Sequence, residues 1–125
     1  MQDPTLRIYA VLRGDLEMTA GKAAAQAGHA YVNSLLDALK QNPNIIQEYQ
    51  PDGLGTKVCL VAKNESQLRF AHYRATERGL PCSLIIDSGH IMLPHFDGNP
   101  IVTALGIGPC IRDQIDFIVG KFDLL

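Results

Sequence analysis

The chain has 125 residues, of which 46% are hydrophobic and 19% charged, and a formal net charge of −2. That balance suits one globular domain around one core and argues against a disordered chain. It excludes a global basic field for nucleic acid but leaves room for a basic patch on one face. Three cysteines, Cys59, Cys82 and Cys110, form no CxxC pair and no His/Cys metal spacing. They read as reduced, buried thiols of a cytoplasmic protein. The opening MQDPTLR lacks the basic-then-apolar order of a signal peptide. No stretch approaches the roughly 18 apolar residues of a membrane span.

Strand-forming residues in alternation over 6–13 (LRIYAVLR) predict a first strand, and RGDLEM a turn after it. Thr19 is a good N-cap for a long helix running to about Lys40. Ala20, Ala24, Ala27, Tyr31, Leu35 and Ala38 recur at helical spacing and predict its apolar face. Gly21 and Gly28 lower helix propensity, by about 1 kcal/mol each against alanine, which suggests that another element packs close there. A loop precedes a second strand over 56–63. A helix then starts at Asn64 or Ser66 and closes on Gly79 in the left-handed conformation. LPCSLIID (80–87) predicts a third strand, 88–100 a loop, and IVTALGIG (101–108) a fourth strand. Pro109 is expected to start a last helix, and KFDLL to close the chain as a short end strand. The order β-α-β-α-β-β-α implies parallel first, second and third strands and an antiparallel fourth. The expected fold class is α/β: a single domain, over 1–125, with a mixed four-stranded sheet and helices on both faces.

This topology gathers polar residues at one sheet edge. Asp15 follows the first strand, Asp87 ends the third, Thr103 begins the fourth, and Lys22 lies in the first turn of the long helix. Open α/β sheets place ligands at the carboxyl ends of strands, and a helix N-terminus there favours negative charge. Lys22, Gln26, His29 and Asn33 share one helix face by their spacing. That row is either the solvated side of the helix or the border of a site. Lys22 reads as an oxyanion or phosphate partner or as a surface lysine, Asp15 as its orienter or a turn residue, and Asp87 as a water-aligning base or a turn residue. His29 reads first as a packing residue, and His90 as an exposed loop histidine. His72, His90 and His95 have no metal-ligand spacing. Two nucleotide motifs fail. Six residues separate Gly14 from Gly21 where a P-loop has four, and Ala23 replaces its hydroxyl; Ile111 replaces the third dinucleotide glycine after LGIGPC.

Three stretches, LRGDLEMTAGKAAAQAGHA (12–30), GLPCSLIIDSG (79–89) and TALGIGPCIRDQIDFIVGKFDLL (103–125), joined by KVCLVAKNESQL (57–68), resemble the type 2 peptidyl-tRNA hydrolases. The resemblance covers nearly the whole chain. It implies a mixed sheet flanked by helices, a homodimer, and cleavage of the ester joining peptide to tRNA, with peptidyl-tRNA as partner and no metal or cofactor. It further implies catalytic roles for Lys22, Asp87 and Thr103, and substrate-binding roles for Asp15, Gln26, His29 and Gly89. One position departs. Ile91 stands where the family usually carries a threonine, four residues after the aspartate. That departure raises two alternatives: a binding module that has lost the chemistry, and a hydrolase of another small ester.

Overall fold

The sheet is built outward from β1 (Arg7–Arg13), whose inner residues Ile8–Leu12 are all buried. A continuous apolar run of this kind belongs to a strand covered on both faces. In the computed structural model, which describes residues 3–89 and 91–125, β1 is followed by a short 3-10 turn (Gly14–Leu16) and α1 (Ala20–Gln41). Next come α2 (Ile45–Tyr49), β2 (Thr56–Ala62), α3 (Glu65–Glu77) and β3 (Cys82–Asp87). A small hairpin, β4 (Ile91–Met92) with β5 (Phe96–Asp97), leads into the long β6 (Ile101–Cys110), α4 (Arg112–Val119) and β7 (Asp123–Leu124). The main sheet has the order β3-β6-β1-β2-β7. β1 and β2 are parallel, and β6 runs antiparallel to both β1 and β3, so β1, β2 and β3 end on the same edge.

Alternate residues of the central strands feed two cores. Tyr9, Val11, Leu105 and Ile107 pack with Leu68, Ala71, Ile115 and Ile118 beneath α3 and α4. On the other face Ala10, Leu12, Ile85 and Ala104 meet Ala27 and Ala30 of α1. That second core is made mostly of alanines, so α1 lies close to the sheet. At Gly106 a Cβ would collide with the Ala30 carbonyl of α1. This is where glycine permits close packing. Gly21 and Gly28, expected to do so, have nothing within 4 Å of where a Cβ would be.

The structure corrects the sequence reading at five places. The sheet has five strands, because β7 adds to β2 through Leu60 and Val61. The 88–100 loop contains the β4–β5 hairpin, whose two-residue strands are too short to show alternation. α2 was not foreseen; its Ile45 and Tyr49 are buried, and the Tyr49 hydroxyl donates to the Thr56 carbonyl at 2.8 Å. Pro109 lies inside β6, and the last helix starts at Arg112, where the Gln114 side chain accepts from the Ile111 amide at 3.0 Å. Finally, the buried stripe of α1 is Lys22, Gln26, Ala27, Ala30, Ser34 and Ala38, while Ala20 and Ala24 are exposed. Alanine periodicity cannot orient a helix in which nearly every face carries alanine.

Candidate active site

The row on α1 splits in two. Lys22 and Gln26 turn into the seam between helix and sheet and are buried, whereas His29 and Asn33 face solvent. Thr19 caps the helix with its hydroxyl, accepting from the Lys22 amide at 3.3 Å. That cap sets the first turn beside the end of β3. From there Lys22 Nζ reaches Asp87 Oδ2 at 2.9 Å, and its side chain is only 4% exposed.

Asp87 is the last residue of β3 and the most open member of the cluster, its side chain 23% exposed. Its Oδ2 also accepts from Gln26 Nε2 at 3.1 Å, and its Oδ1 from the Ser88 amide at 2.9 Å. Gln26 Oε1 in turn accepts from the Thr103 hydroxyl at 2.6 Å. Thr103 owes its placement to an irregularity in β6. The register against β3 steps from Ile85–Ala104 to Ile86–Val102, which leaves Thr103 without a β3 partner and re-aims it toward α1. The result is a chain of hydrogen bonds, Thr103 to Gln26 to Asp87, with Lys22 closing on the same carboxylate oxygen. Among the described residues no buried side-chain nitrogen or oxygen lacks a partner.

Phe96, which the sequence did not single out, completes the surroundings of Lys22. Its buried ring, on the β4–β5 hairpin, lies 4.4 Å from the ammonium. The arrangement is a cation–π contact that adds a second partner to the lysine beside Asp87. No periodicity marks a single phenylalanine in a loop-like stretch, so no signal was available in the sequence.

The remaining expected residues fall around this cluster with different contacts. Asp15 does not touch Lys22; it takes two bonds from Arg13, at 2.8 and 3.1 Å. The Arg13 guanidinium beside it holds its carboxyl below the usual range. Arg13 also donates to the Val102 carbonyl at 3.0 Å and tethers the end of β1 to β6. Gly89 adopts φ 76° and its amide donates to the Gly98 carbonyl, so it closes the hairpin. His29 borders two hollows. One, of about 360 Å³, is lined by Thr19, Lys22, Gln26, Asp87 and Met92. The other, of about 330 Å³, lies between Asn33, Leu84, Ile86 and Asp87. His95 is exposed, burial pushes the half-buried His72 imidazole down, and His90 lies outside the described residues. Among the described residues no group of three His, Cys, Asp or Glu side chains is placed to hold a metal ion.

An open α/β sheet with a lysine-paired carboxylate at the mouth of a solvent-open hollow defines a site suited to hydrolysis by an aligned water. The family model for "Peptidyl-tRNA hydrolase PTH2" matches residues 6–125. A curated protein of Methanocaldococcus jannaschii, named peptidyl-tRNA hydrolase, is 38% identical over 120 residues, covering 96% of this chain and all of its own length. Proteins of the same name from Pyrobaculum aerophilum and Methanopyrus kandleri are 35% and 38% identical, over 95% and 92% of this chain and 97% and 94% of theirs. The chain belongs to the peptidyl-tRNA hydrolase PTH2 family.

Proposed function

We propose that this chain hydrolyses the ester between peptide and tRNA in peptidyl-tRNA, releasing the tRNA for reuse, with Asp87 and Lys22 as catalytic residues. The observation that carries the reading is the Lys22–Asp87 pair at the cleft mouth, fixed from behind by Gln26 and Thr103, in a member of this family. Water enters against the exposed side of the Asp87 carboxylate, which accepts its proton as the oxygen attacks the ester carbonyl. The Lys22 ammonium stabilises the oxyanion that forms. When the intermediate collapses, the ester C–O bond breaks and the ribose oxygen leaves with the proton held by Asp87. An ester needs less leaving-group assistance than an amide, so water and side chains suffice.

Thr103 has no exposed surface and gives its hydroxyl to Gln26, which favours a positioning role over contact with the ester. Asp15, His29 and Gly89 are proposed to shape the substrate-binding rim. Ile91 is 76% exposed, and Asp87 already accepts from three donors without a hydroxyl at that position. That favours a working enzyme over an inert binding module. Homodimer formation and residence in the cytoplasm are part of the proposal; among the described residues no helix is long and apolar enough to cross a membrane. The test is peptide release from peptidyl-tRNA by the wild type, Lys22→Ala and Asp87→Ala. Loss of about 100-fold or more in kcat is expected for either variant; equal rates in all three would overturn the assignment.

A further inference from the structure

Some of the cations in this chain are paired, and seven of the eleven make no ion pair among the described residues, Lys40, Lys57 and Arg112 at scattered positions. Arg7, Arg13, Lys22 and Arg69 each face a carboxylate. The other unpaired cations, Lys63, Arg74, Arg78 and Lys121, gather on the sheet face opposite α1. There a groove of about 380 Å³ runs between α3, the end of α4 and the last residues of the chain. Lys63, Arg74 and Lys121 line it, against one carboxylate, Asp123. Its walls carry aromatic rings. The Arg74 guanidinium lies 4.8 Å from the Phe117 ring centre and 5.7 Å from that of Phe70, and Arg78 lies 3.9 Å from Phe117. Phe70 and Tyr73 are 60% and 61% exposed.

Guanidinium groups stacked on rings are held in place with their N–H edges outward, and exposed rings offer faces for bases. A net charge of −2 means that phosphates must meet a local basic surface rather than the whole molecule. The groove lies on the opposite sheet face from the proposed reaction but reaches the same sheet edge. Lys63 follows the end of β2 just as Asp87 ends β3, and those strands finish on one edge, three strand positions apart, or about 14 Å. We infer that the α3–α4 groove binds the sugar–phosphate backbone of the tRNA body, at a place separate from the scissile ester. The inference rests on the peptidyl-tRNA reading above.

The test compares the wild type with Lys63→Glu/Lys121→Glu and with Phe70→Ala, all exposed positions. The probes are deacylated tRNA, peptidyl-tRNA, and an N-acylaminoacyl ester of adenosine that lacks the tRNA body. Affinity of the charge variant for deacylated tRNA is expected to fall about eightfold at 0.1 M salt for each lost phosphate contact, with the salt slope shallower by about 0.9 per contact. KM for peptidyl-tRNA rises in parallel, kcat holds, and the adenosine ester is cleaved as before. Unchanged affinity for deacylated tRNA in the charge variant overturns the proposal. So does a variant that dissociates a dimer in sedimentation while retaining tRNA affinity, which makes the groove a surface between copies. So does a groove that takes poly-glutamate but not tRNA in the wild type. A wild type that releases no peptide from peptidyl-tRNA defeats the catalytic reading, and the deacylated-tRNA titration then still decides the groove.

Discussion

Replacing Thr103 by valine keeps the shape of the side chain and removes one hydroxyl. Gln26 Oε1 accepts that hydroxyl at 2.6 Å, and both residues are buried, at 0% and 2% exposure. The substitution therefore strands a carbonyl oxygen where water cannot reach it. A buried acceptor left without its donor costs about 1–3 kcal/mol. For a domain of 125 residues each kcal/mol moves Tm by about 4 °C, so Thr103→Val should melt about 4–12 °C below the wild type. Gln26→Met removes the other partner, and with it the 3.1 Å bond that steadies Asp87. A hydrogen bond to a charged group contributes about 1.5–3 kcal/mol, so kcat should fall about 10- to 100-fold. The informative protein is the double variant. With both partners apolar no acceptor is stranded, and stability should return to within about 1 kcal/mol of the wild type. Activity should not return, because Asp87 still lacks the amide. Thermal denaturation and single-turnover peptide release on the four proteins measure both quantities. A double variant that melts at the sum of the two single losses, or one that regains kcat, would refute the chain of hydrogen bonds as the reason Asp87 is positioned.

Other outcomes follow from the same structure. Gly106→Ala drives a methyl group into the Ala30 carbonyl, and should destabilise by about 2–3 kcal/mol and lower kcat by lifting α1. Gly28→Ala, with nothing within 4 Å, should gain about 1 kcal/mol from helix propensity; denaturant titration separates the two. Burial pushes the Cys110 thiol from 9.0 up to about 12. The unfolded chain therefore ionises first, and stability is whole below pH 9.0 and declines as pH rises toward 12. Its share of that slope is at most about 1.4 kcal/mol per pH unit, and unfolding curves of Cys110→Ala between pH 8 and 11 should be flatter by up to that amount. Ile91→Thr changes an exposed residue, so kcat/KM for peptidyl-tRNA should move by less than about threefold, in line with surface substitutions of about 0.5 kcal/mol.

How far the sequence reveals this molecule depends on what each segment presents to the eye. β1 and β3 are rich in strand-forming apolar residues, and Thr19, Asn64 and Gly79 are caps with local chemistry, so their elements are legible. The Asn64 side chain accepts from the Gln67 amide at 2.9 Å, and Gly79 sits at φ 72°, as that chemistry requires. Proline signals a helix start, which hides the last residues of β6 from the sequence; here Pro109 follows Gly108, whose amide bonds to the Pro81 carbonyl, and the strand runs on to Cys110. Lys22 and Asp87 could be brought to one edge from topology alone. Their partners could not be assigned in the same way. Asp15 stands two residues from the better donor, Arg13, and Gln26 links Asp87 to Thr103 only because α1 is rotated to bury it.

That rotation ties the fold to the chemistry. Ala27 and Ala30 on α1 face Ala10, Ala104 and Gly106 on the sheet, and this small-residue seam draws the helix close. Helix and sheet so near one another exclude water from whatever polar groups lie at the end of the seam. Lys22, Gln26 and Thr103 lie there, and each must find a partner within the protein. Their bonds converge on Asp87, whose carboxylate alone in that chain keeps an appreciable face to solvent. In the proposed mechanism the attacking water meets that exposed face, on the carboxylate proposed to take its proton. Larger residues in the seam, such as Ala30→Val, would widen it and admit water behind Asp87. The predicted signature is a fall in kcat with little change in KM, because the rim that meets the substrate stays where it is.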